Sequence, residues 1–337
     1  MNRRLPLLLA LLGVLPSAAT ADGPTQWILA TIAPEGSPVM QVLDEFARSS
    51  EHAANAAGAR IKLRTRHGGV GSDELDGLRL CMQGRVQAWV GSTGAVAVEI
   101  PAVSVLDLPF LFHDLKEFER ARAPKDDPLG RPLIAKAIRD RGLRAYGIGY
   151  AGWRAMTSRD KPLRVPADLK GLRMRSQPAP LHRAMWKLLG ATPVESSLNE
   201  VASIFRLKQA DALDVPALYV FATSVAEQMK FHVRTNHTMQ TALIVFHDET
   251  FSKLPKRAQS AVFALRAAFY PRFSKVLDAM EVDLVAELGK AGIQVIEPTD
   301  DERTLWKKAF LPLRARALEL GGKAGAELLQ ALESKRS

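Results

Sequence analysis

The sequence contains a single cysteine, Cys81, among 337 residues. One cysteine cannot form a disulfide within the chain, so no disulfide framework stabilises this fold. The histidine or asparagine motif that accompanies a cysteine nucleophile is also missing. We therefore predict that Cys81 is a small core residue on a helix.

Motifs of common enzyme classes are missing as well. The seven histidines show neither His-x-x-x-His nor His-Glu-x-x-His spacing, and no Gly-x-Ser-x-Gly turn or phosphate-binding Gly-x-x-x-x-Gly-Lys-Ser/Thr loop occurs. His232 and His237 lie five residues apart around a predicted loop, and we interpret them as structural. The sequence thus predicts a protein that is not an enzyme, with no catalytic residue, metal site or cofactor.

No run of about 20 apolar residues, the length that spans a bilayer, occurs in the chain. The first residues instead have the order of a secretory signal peptide, since residues 1–4 are basic, 5–15 are apolar and 19–21 are small. We predict cleavage before Asp22 and an exported, soluble protein. The lack of a cysteine near that site argues against a lipoprotein anchor.

Acidic residues are fewer than basic ones, 36 against 46, which gives a formal charge of +10. The predicted leader carries two of the arginines and no acid, so the mature chain would carry +8. The lysines and arginines are scattered, without a basic stripe, an aromatic stacking motif or a zinc-finger spacing. The excess positive charge therefore does not predict nucleic-acid binding.

The chain does contain enough apolar residues, 47%, for one or two cores. Apolar and alternating runs predict strands, and helical spacing predicts helices between them. Strands are predicted over 27–31, 61–66 and 86–90, and helices over 37–57 and 72–83, with Ser72 as the N-cap of the second helix. This βαβαβ order predicts a parallel sheet whose ligands lie beyond the carboxyl ends of the strands.

The pattern restarts at residue 143. Strands are predicted over 143–150, 155–158, 173–175, 212–215 and 238–246, and helices over 180–189, 199–208 and 218–229. From Pro255 the sequence is almost wholly helical, with a long helix over 258–288 that ends at Gly289 and a charged, alanine-rich segment over 303–335. Two α/β units therefore predict two lobes, braced by the long helix.

Arg175 ends the short alternating segment 168–175 and precedes the predicted helix at Pro180. A helix N-terminus carries partial positive charge, and a guanidinium can bind a carboxylate through two parallel hydrogen bonds. The position therefore suits an anion. A surface arginine on an edge strand is the alternative that the pattern leaves open.

Several short motifs occur in a fixed order along the mature chain. They are GGVGSDE at 68–74, GRVQA at 84–88, VLDLPFLF at 105–112, DLKGLRMR at 168–175, LGATPV at 189–194, NEV at 199–201, DALD at 211–214 and LP at 254–255. In this order and spacing they resemble the solute-binding proteins of tripartite ATP-independent periplasmic (TRAP) transporters, of the DctP type. The resemblance covers nearly all of the mature chain.

The resemblance implies an α/β, periplasmic-binding-protein-like clamshell, with two lobes joined by hinge crossings and a long bracing helix. After the signal peptide over 1–21, the first lobe would comprise 22–148 and about 238–280. The second lobe would comprise 149–237 and about 281–300, and 301–337 would form a C-terminal helical segment.

The resemblance also implies which residues bind the ligand. Arg175 would pair with the substrate carboxylate. Arg154, in a Gly-x-Arg element, would be a second cation, with structural support of the hinge as the alternative. Two guanidiniums in one desolvated pocket repel each other unless an anion or an acidic side chain lies between them. Ser92 and Asp73 would line the cleft from the first lobe.

Other positions depart from the family pattern. Leu198 stands where an aromatic side chain often covers the ligand, and Val215, after Asp214, stands where the family often has an amide. Asp214 and Tyr219 would complete the lining of the pocket. We therefore predict a more apolar pocket, whose ligand is a monocarboxylate or keto acid with a hydrophobic body.

In this interpretation the protein captures an organic acid between its lobes. It then delivers the acid, as a periplasmic protein, to the small and large membrane subunits of a TRAP transporter. Two alternatives stay open, a lipophilic ligand without a carboxylate and a role as a periplasmic ligand sensor. The protein would act as a monomer, or as a dimer formed through its C-terminal helices.

Overall fold

The computed structural model describes residues 23–71 and 73–335, so the predicted signal peptide, Asp22 and the predicted cap Ser72 lie outside the described residues. The strands are β1 Thr25–Thr31, β2 Ile61–Arg66, β3 Ala88–Ser92, β4 Leu143–Ser158, β5 Arg173–Ser176, β6 Thr192–Glu195, β7 Ala212–Val215, β8 Phe231–His247 and β9 Gln294–Ile296. The α-helices are α1 Pro38–Ala56, α2 Glu74–Met82, α3 Thr93–Glu99, α4 Leu115–Ala121, α5 Pro132–Arg139, α6 Pro180–Leu188, α7 Val201–Arg206, α8 Ala217–Ala222, α9 Asp248–Ser252, α10 Lys256–Ala264, α11 Arg266–Lys290, α12 Asp300–Phe310 and α13 Leu313–Glu333.

The strands form one mixed sheet in the order β2-β1-β3-β8-β4-β7-β5-β6, and β9 pairs with β8. β1 is parallel to β2 and β3, as the βαβαβ order predicts, and β5 is parallel to β6 and β7. We refer to β1–β3 with α1–α3 as the first half and to β5–β7 with α6–α8 as the second half. The antiparallel strands β4 and β8 run through both halves and are the crossings of the predicted two-lobed fold. The exact lobe boundaries stay a prediction.

β4 and β8 are long, with 16 and 17 residues. Their pairing shifts register at three places, which marks bulges or irregularities along the pair. Bulges interrupt the period-two alternation of a strand, so the sequence predicts two strands in place of β4 and a shorter β8. His232 and His237 lie within β8 and are fully buried. The predicted loop around these histidines is therefore wrong.

Three glycines of β4, Gly147, Gly149 and Gly152, have the Gly-x-Gly-x-x-Gly spacing of dinucleotide-binding loops. In such loops the glycines open a helix, whereas here all three lie inside a strand. A Cβ on Gly147 would lie 2.1 Å from Tyr270 Oη, and one on Gly149 would lie 3.0 Å from Phe273 Cε1. These two glycines therefore allow α11 to pack directly on β4.

Polar caps place two predicted ligand residues at helix starts in the first half. Asp73 Oδ1 accepts a hydrogen bond from Asp76 N at 2.9 Å, and α2 begins at Glu74. Ser92 Oγ accepts a hydrogen bond from Ala95 N at 3.2 Å and caps α3. Both caps follow the carboxyl ends of parallel strands, on the side of the sheet where ligands of α/β proteins bind.

The predicted long helix is two helices, because α10 ends at Ala264 and α11 begins at Arg266. Gly289 lies inside α11, so the prediction that it ends the helix is wrong. A glycine ends a helix when it adopts the left-handed conformation, and Gly292, with a φ of 84°, does so just beyond Lys290. α11 contacts β4, α1, α8 and β9, and it therefore braces both halves.

The C-terminal helices pack on the same chain. α13 lies against the 3₁₀ segment Pro101–Asp107 and against α5 and α6. A dimer through these helices stays a prediction. Cys81 lies on α2 and is fully buried, as predicted, and burial raises the pKa of its thiol. Within the described ranges, no helix combines the length and the apolar character needed to cross a membrane.

Gly152 lies beside a register shift of β4, with a left-handed φ of 103°. A Cβ at this position would lie 2.8 Å from Pro216 Cβ. We expect Gly152→Ala to lower the free energy of unfolding by about 1–3 kcal/mol, because alanine would have to adopt the strained φ and displace Pro216. Denaturant unfolding followed by circular dichroism measures this change.

Gly289→Ala is the matched control for that substitution. Gly289 lies inside α11, and a Cβ there would have no neighbour within 4 Å. We expect alanine to raise the free energy of unfolding by up to about 1 kcal/mol, because it is the better helix former. Equal effects of the two substitutions would contradict the strain assigned to Gly152.

Candidate functional site

A cavity lies between the two halves, against β4, β8 and α11, and its space of about 620 Å³ includes volume open to solvent. Most of its walls are apolar, and both halves contribute to them. The apolar lining consists of Ile32, Ala33, Val39, Leu43, Val90, Ala151, Leu198, Val215, Pro216, Leu218, Ala242, Phe273 and Leu277. The polar residues that border it are Thr31, Glu74, Ser92, Arg154, Gln177, Tyr219 and Gln240.

A second pocket of about 370 Å³ adjoins the first. Glu74, Gln177 and Leu198 border both pockets, so the two spaces form one cleft. Asp73 and Arg175 border the second pocket from opposite halves of the molecule. The cleft therefore collects charged side chains from both sides around an apolar cavity.

Arg154 lies on β4 with 1% of its surface exposed. Its Nε donates to Asp214 Oδ2 at 2.6 Å, its Nη2 donates to the Asp214 carbonyl oxygen, and its Nη1 donates to Gln240 Oε1. The guanidinium is thus bonded to β7 and β8 as well as being part of β4. This arrangement supports the structural interpretation of Arg154, although its side chain still borders the cavity. Its role as a ligand cation stays a prediction.

Asp214 is the acidic group that neutralises Arg154. Burial alone would raise the pKa of this carboxyl, but the charge of Arg154, the nearby His237 and the hydrogen bond from Arg154 hold it well below its usual range. His237 Nε2 lies 3.5 Å from Asp214 Oδ2. Asp214 therefore stays ionised inside the protein, and its negative charge neutralises the positive charge of Arg154.

Arg175 lies on β5, between β6 and β7, with 1% of its surface exposed. The surface arginine on an edge strand, which the sequence leaves open, is therefore wrong. Its Nε donates to Ser196 Oγ at 3.1 Å and its Nη2 to the Ser196 carbonyl oxygen at 2.7 Å. Its Nη1 is buried without a partner among the residues described. Burial, followed by the charge of Arg154, lowers the pKa of Arg175 to about 10.

Glu74 opens α2 and reaches the cleft from the first half. Its carboxylate oxygens accept hydrogen bonds from Ser92 N at 2.6 Å and Ser92 Oγ at 2.7 Å. Burial raises the pKa of this carboxyl, and the bonds from Ser92 and the charge of Arg175 oppose the rise only in part. Glu74 thus presents a fixed, partly desolvated acceptor to the cleft.

The structure brings most of the predicted site residues together. Those that border the cleft are Asp73, Ser92, Arg154, Arg175, Leu198, Val215 and Tyr219. Asp214 lies behind Arg154 and is bonded to it. The ligand-binding role of each of these residues stays a prediction, while their position around one cleft is a structural finding.

Sequence reasoning misses four polar residues of the cleft region, Glu74, Gln177, Ser196 and Gln240. Glu74 follows the glycine-rich turn after β2, and Gln177 and Ser196 come directly after β5 and β6. Because ligands bind at the carboxyl ends of parallel strands, this position could have indicated all three. Gln240 lies in the middle of β8, and only the pairing of β8 with β4 brings it to Arg154.

Removing the charge of Asp214 should destabilise the protein. We expect Asp214→Asn to lower the free energy of unfolding by about 3–5 kcal/mol, because it leaves the Arg154 cation buried and unneutralised. Asp211→Asn is the matched control, since Asp211 pairs with Arg173, whose side chain is 47% exposed. Loss of that exposed pair should cost far less, because solvent screens it. Denaturant titration of both variants tests the difference.

The same pair predicts a pH dependence. The pKa of Asp214 is lower in the folded state than the value of about 3.9 expected when unfolded, so its stabilising effect is complete above that value. The effect is lost as the pH falls towards the folded-state pKa. The difference in unfolding free energy between wild type and Asp214→Asn should therefore shrink below about pH 4. A constant difference down to about pH 2.5 would contradict this assignment.

Relatives of known description are similar to this chain over most of their length. A solute-binding protein of Verminephrobacter eiseniae is 27% identical over 292 residues, which cover 86% of this chain and 84% of that protein. The 2,3-diketo-L-gulonate-binding periplasmic protein YiaO of Escherichia coli is 29% identical over 235 residues, 69% of each chain.

Solved structures share the fold. A TRAP periplasmic solute-binding protein from Roseobacter denitrificans, with bound β-D-glucuronate, matches with a TM-score of 0.81 at 21% identity over 92% of this chain and 99% of that one. Another from Shewanella oneidensis, with bound succinate, matches with a TM-score of 0.80 at 18% identity over 94% of this chain and 100% of that one. At these identities the likeness shows the fold alone, which is the predicted two-lobed α/β clamshell.

A family model also matches the chain. It describes DctP, the bacterial extracellular solute-binding proteins of family 7, and it matches residues 29–319. This range includes both crossing strands and the residues that border the cleft. The resemblance that the sequence motifs indicate is thereby confirmed. The chain belongs to the DctP family of TRAP-type bacterial extracellular solute-binding proteins.

Proposed function

We propose that the protein binds an organic acid in the cleft through Arg175 and delivers it to the small and large membrane subunits of a TRAP transporter. The observation that carries this proposal is the state of Arg175. Its guanidinium is buried, its Nη1 has no partner in the part of the chain described, and its other bonds go to an uncharged serine. A buried cation without a counter-ion is costly, and a ligand carboxylate would supply the missing charge.

Related proteins support an acid as the ligand. One relative is a 2,3-diketo-L-gulonate-binding protein, another binds C4-dicarboxylates and another binds sialic acid. Solved structures of similar fold hold glucuronate, galacturonate or succinate. All of these ligands carry a carboxylate. The relatives are also described as periplasmic, which, with the leader predicted over residues 1–21, supports export of this chain.

We also propose that the ligand has a single carboxylate and an apolar body. Arg154 is already bonded to Asp214 and Gln240, so Arg175 is the guanidinium that can accept a ligand anion. Leu198 and Val215 belong to the apolar wall that would cover the remainder of the ligand. A lipophilic ligand without a carboxylate would fit this wall but would leave Arg175 buried and unpaired. An acid satisfies both features.

Binding would close the protein because the cleft takes residues from both halves. Arg175 belongs to the second half, while Glu74 and Ser92 belong to the first. A ligand that contacts both halves binds the closed form more tightly than the open form and so shifts the population towards closure.

Uptake of the acid by proteoliposomes that carry the two membrane subunits separates a transport protein from a sensor.

Replacement of Arg175 tests the proposed anion site. We expect Arg175→Met to weaken the binding of organic acids by about 30-fold or more, because the ligand carboxylate loses its charged partner. The free energy of unfolding of the ligand-free protein should change by only about 1 kcal/mol, since the substitution also removes a buried unpaired cation. Calorimetric titration with a panel of acids and denaturant unfolding measure the two quantities.

Arg173→Met provides the control from the same strand. Arg173 lies two residues before Arg175, is 47% exposed and pairs with Asp211. The Arg173→Met substitution should therefore leave acid binding unchanged. Acid binding that survives Arg175→Met, or that is lost equally in both variants, would show that Arg175 is not the anion site.

A series of acids of increasing length tests the apolar body. From acetate through butyrate to hexanoate, we expect the binding free energy to improve by about 0.8 kcal/mol for each added CH₂ group that the wall covers. Calorimetric titration gives the dissociation constants. Tighter binding of succinate than of hexanoate would contradict the apolar body while leaving the anion site intact.

A further inference from the structure

Glu74 and Arg175 border the same pocket from opposite halves of the molecule. Glu74 is the first residue of α2, and Arg175 lies on β5. Each lies close enough to influence the pKa of the other, yet neither forms a direct ion pair with the other among the described residues. The space between them is therefore where the polar atoms of a bound ligand would lie.

The charges of the cleft limit what can fill that space. Arg154 is matched by Asp214 at 2.6 Å, which leaves Arg175 as the positive group and Glu74 and Asp73 as the negative groups that border the second pocket. A ligand carboxylate bound to Arg175 would screen Glu74 from its nearest opposite charge, and a buried carboxylate without compensation is unfavourable. A second ligand carboxylate would be repelled by Glu74. These charges favour a ligand with one carboxylate and a further group that Glu74 can bind.

The hydrogen-bonding capacity around Glu74 indicates which group this is. Ser92 already donates to both carboxylate oxygens, and the remaining lone pairs of these oxygens can accept from other groups. Gln177 borders both pockets, and its Oε1 is buried without a partner in the described part of the chain. Glu74 thus presents acceptor oxygens to the cleft from the first half. A hydroxyl or ammonium group can donate to them, whereas a keto oxygen cannot.

We propose that Glu74 is a second recognition residue, which selects acids that carry a hydroxyl or ammonium group near the carboxylate. It discriminates against keto acids, unsubstituted acids and dicarboxylates with the same apolar body. This inference rests on the proposed function, because it takes the binding of a carboxylate by Arg175 as given. It narrows the ligand class from monocarboxylates and keto acids to hydroxy or amino acids with an apolar body.

Two sets of acids with matched carbon skeletons test this selection by calorimetric titration. One set is isocaproate, its hydroxy derivative leucate, leucine, ketoisocaproate and isobutylsuccinate. The other is phenylpropanoate, phenyllactate, phenylalanine, phenylpyruvate and benzylsuccinate. In at least one set, we expect wild type to bind the hydroxy or the amino form at least about 10-fold more tightly than the keto form, because the keto form leaves a buried acceptor unpaired. Preference for the amino form identifies an ammonium donor, and preference for the hydroxy form identifies a hydroxyl donor.

Glu74→Gln keeps the shape of the side chain and replaces one acceptor oxygen with a donor. We expect it to bind the keto form more tightly and the hydroxy and amino forms more weakly, so that their ratio changes by at least about 10-fold. Glu51→Gln is the matched control. Glu51 also accepts hydrogen bonds from a backbone N–H and a side chain, Leu63 N and Lys62 Nζ, both at 2.9 Å, but it lies on α1 and does not border the cleft. It should leave the ranking unchanged.

A keto form that binds wild type as tightly as the hydroxy and amino forms would overturn the role of Glu74, and so would an unchanged ranking in Glu74→Gln. The wild-type ranking decides the question by itself if the variant does not fold. Failure of the proposed function has a different signature. In that case Arg175→Met still binds the acids, or wild type binds none of them, whereas Glu74 changes only the order of preference.

Discussion

The bonds of Arg154 to Asp214 and Gln240 are the interaction on which the arrangement of the cleft depends. They join β4, β7 and β8 at the place where the second half meets the crossing strands. Because Asp214 neutralises Arg154, Arg175 on the neighbouring strand β5 can remain buried without a protein carboxylate. Burial and then the charge of Arg154 nevertheless lower the pKa of Arg175, so the two cations repel each other. An anionic ligand would relieve that repulsion as well as pair with Arg175.

The regular part of the fold could be predicted from the sequence, and the crossing strands only in part, since the predicted strands 143–150, 155–158 and 238–246 lie within β4 and β8. β2 and β7 coincide with the predicted strands over 61–66 and 212–215, because each is a short run between helices with an unbroken pattern. β4 and β8 contain irregular register, which breaks that pattern, and their pairing joins residues far apart in the chain. The sequence does not predict β6, because Thr-Pro-Val-Glu has little strand character. This strand lies at the sheet edge, where a proline is tolerated.

The candidate site is also predictable only in part. A local motif and the chemistry of a guanidinium predict Arg175 as a candidate anion-binding residue, but they do not predict its burial. Strand alternation would expose every second residue, whereas Met174, Arg175 and Ser176 are all buried because β5 lies between β6 and β7 and against α6. The orientation of the Glu74 side chain depends on the two hydrogen bonds that it accepts from Ser92. No local sequence pattern predicts this contact.

Selectivity and closure would arise from the same two groups. Water would screen Arg175 and Glu74 from each other in an open form, and closure would remove that water and make every unpaired group more costly. A ligand that pairs with Arg175 alone would leave Glu74 desolvated and unbound, so its affinity for the closed form would gain little over the open form. A ligand that satisfies both groups gains most from closure. A membrane partner that recognises the closed form would then receive mainly ligands that bind both halves. Closure itself would discriminate between ligands, without a separate selection step.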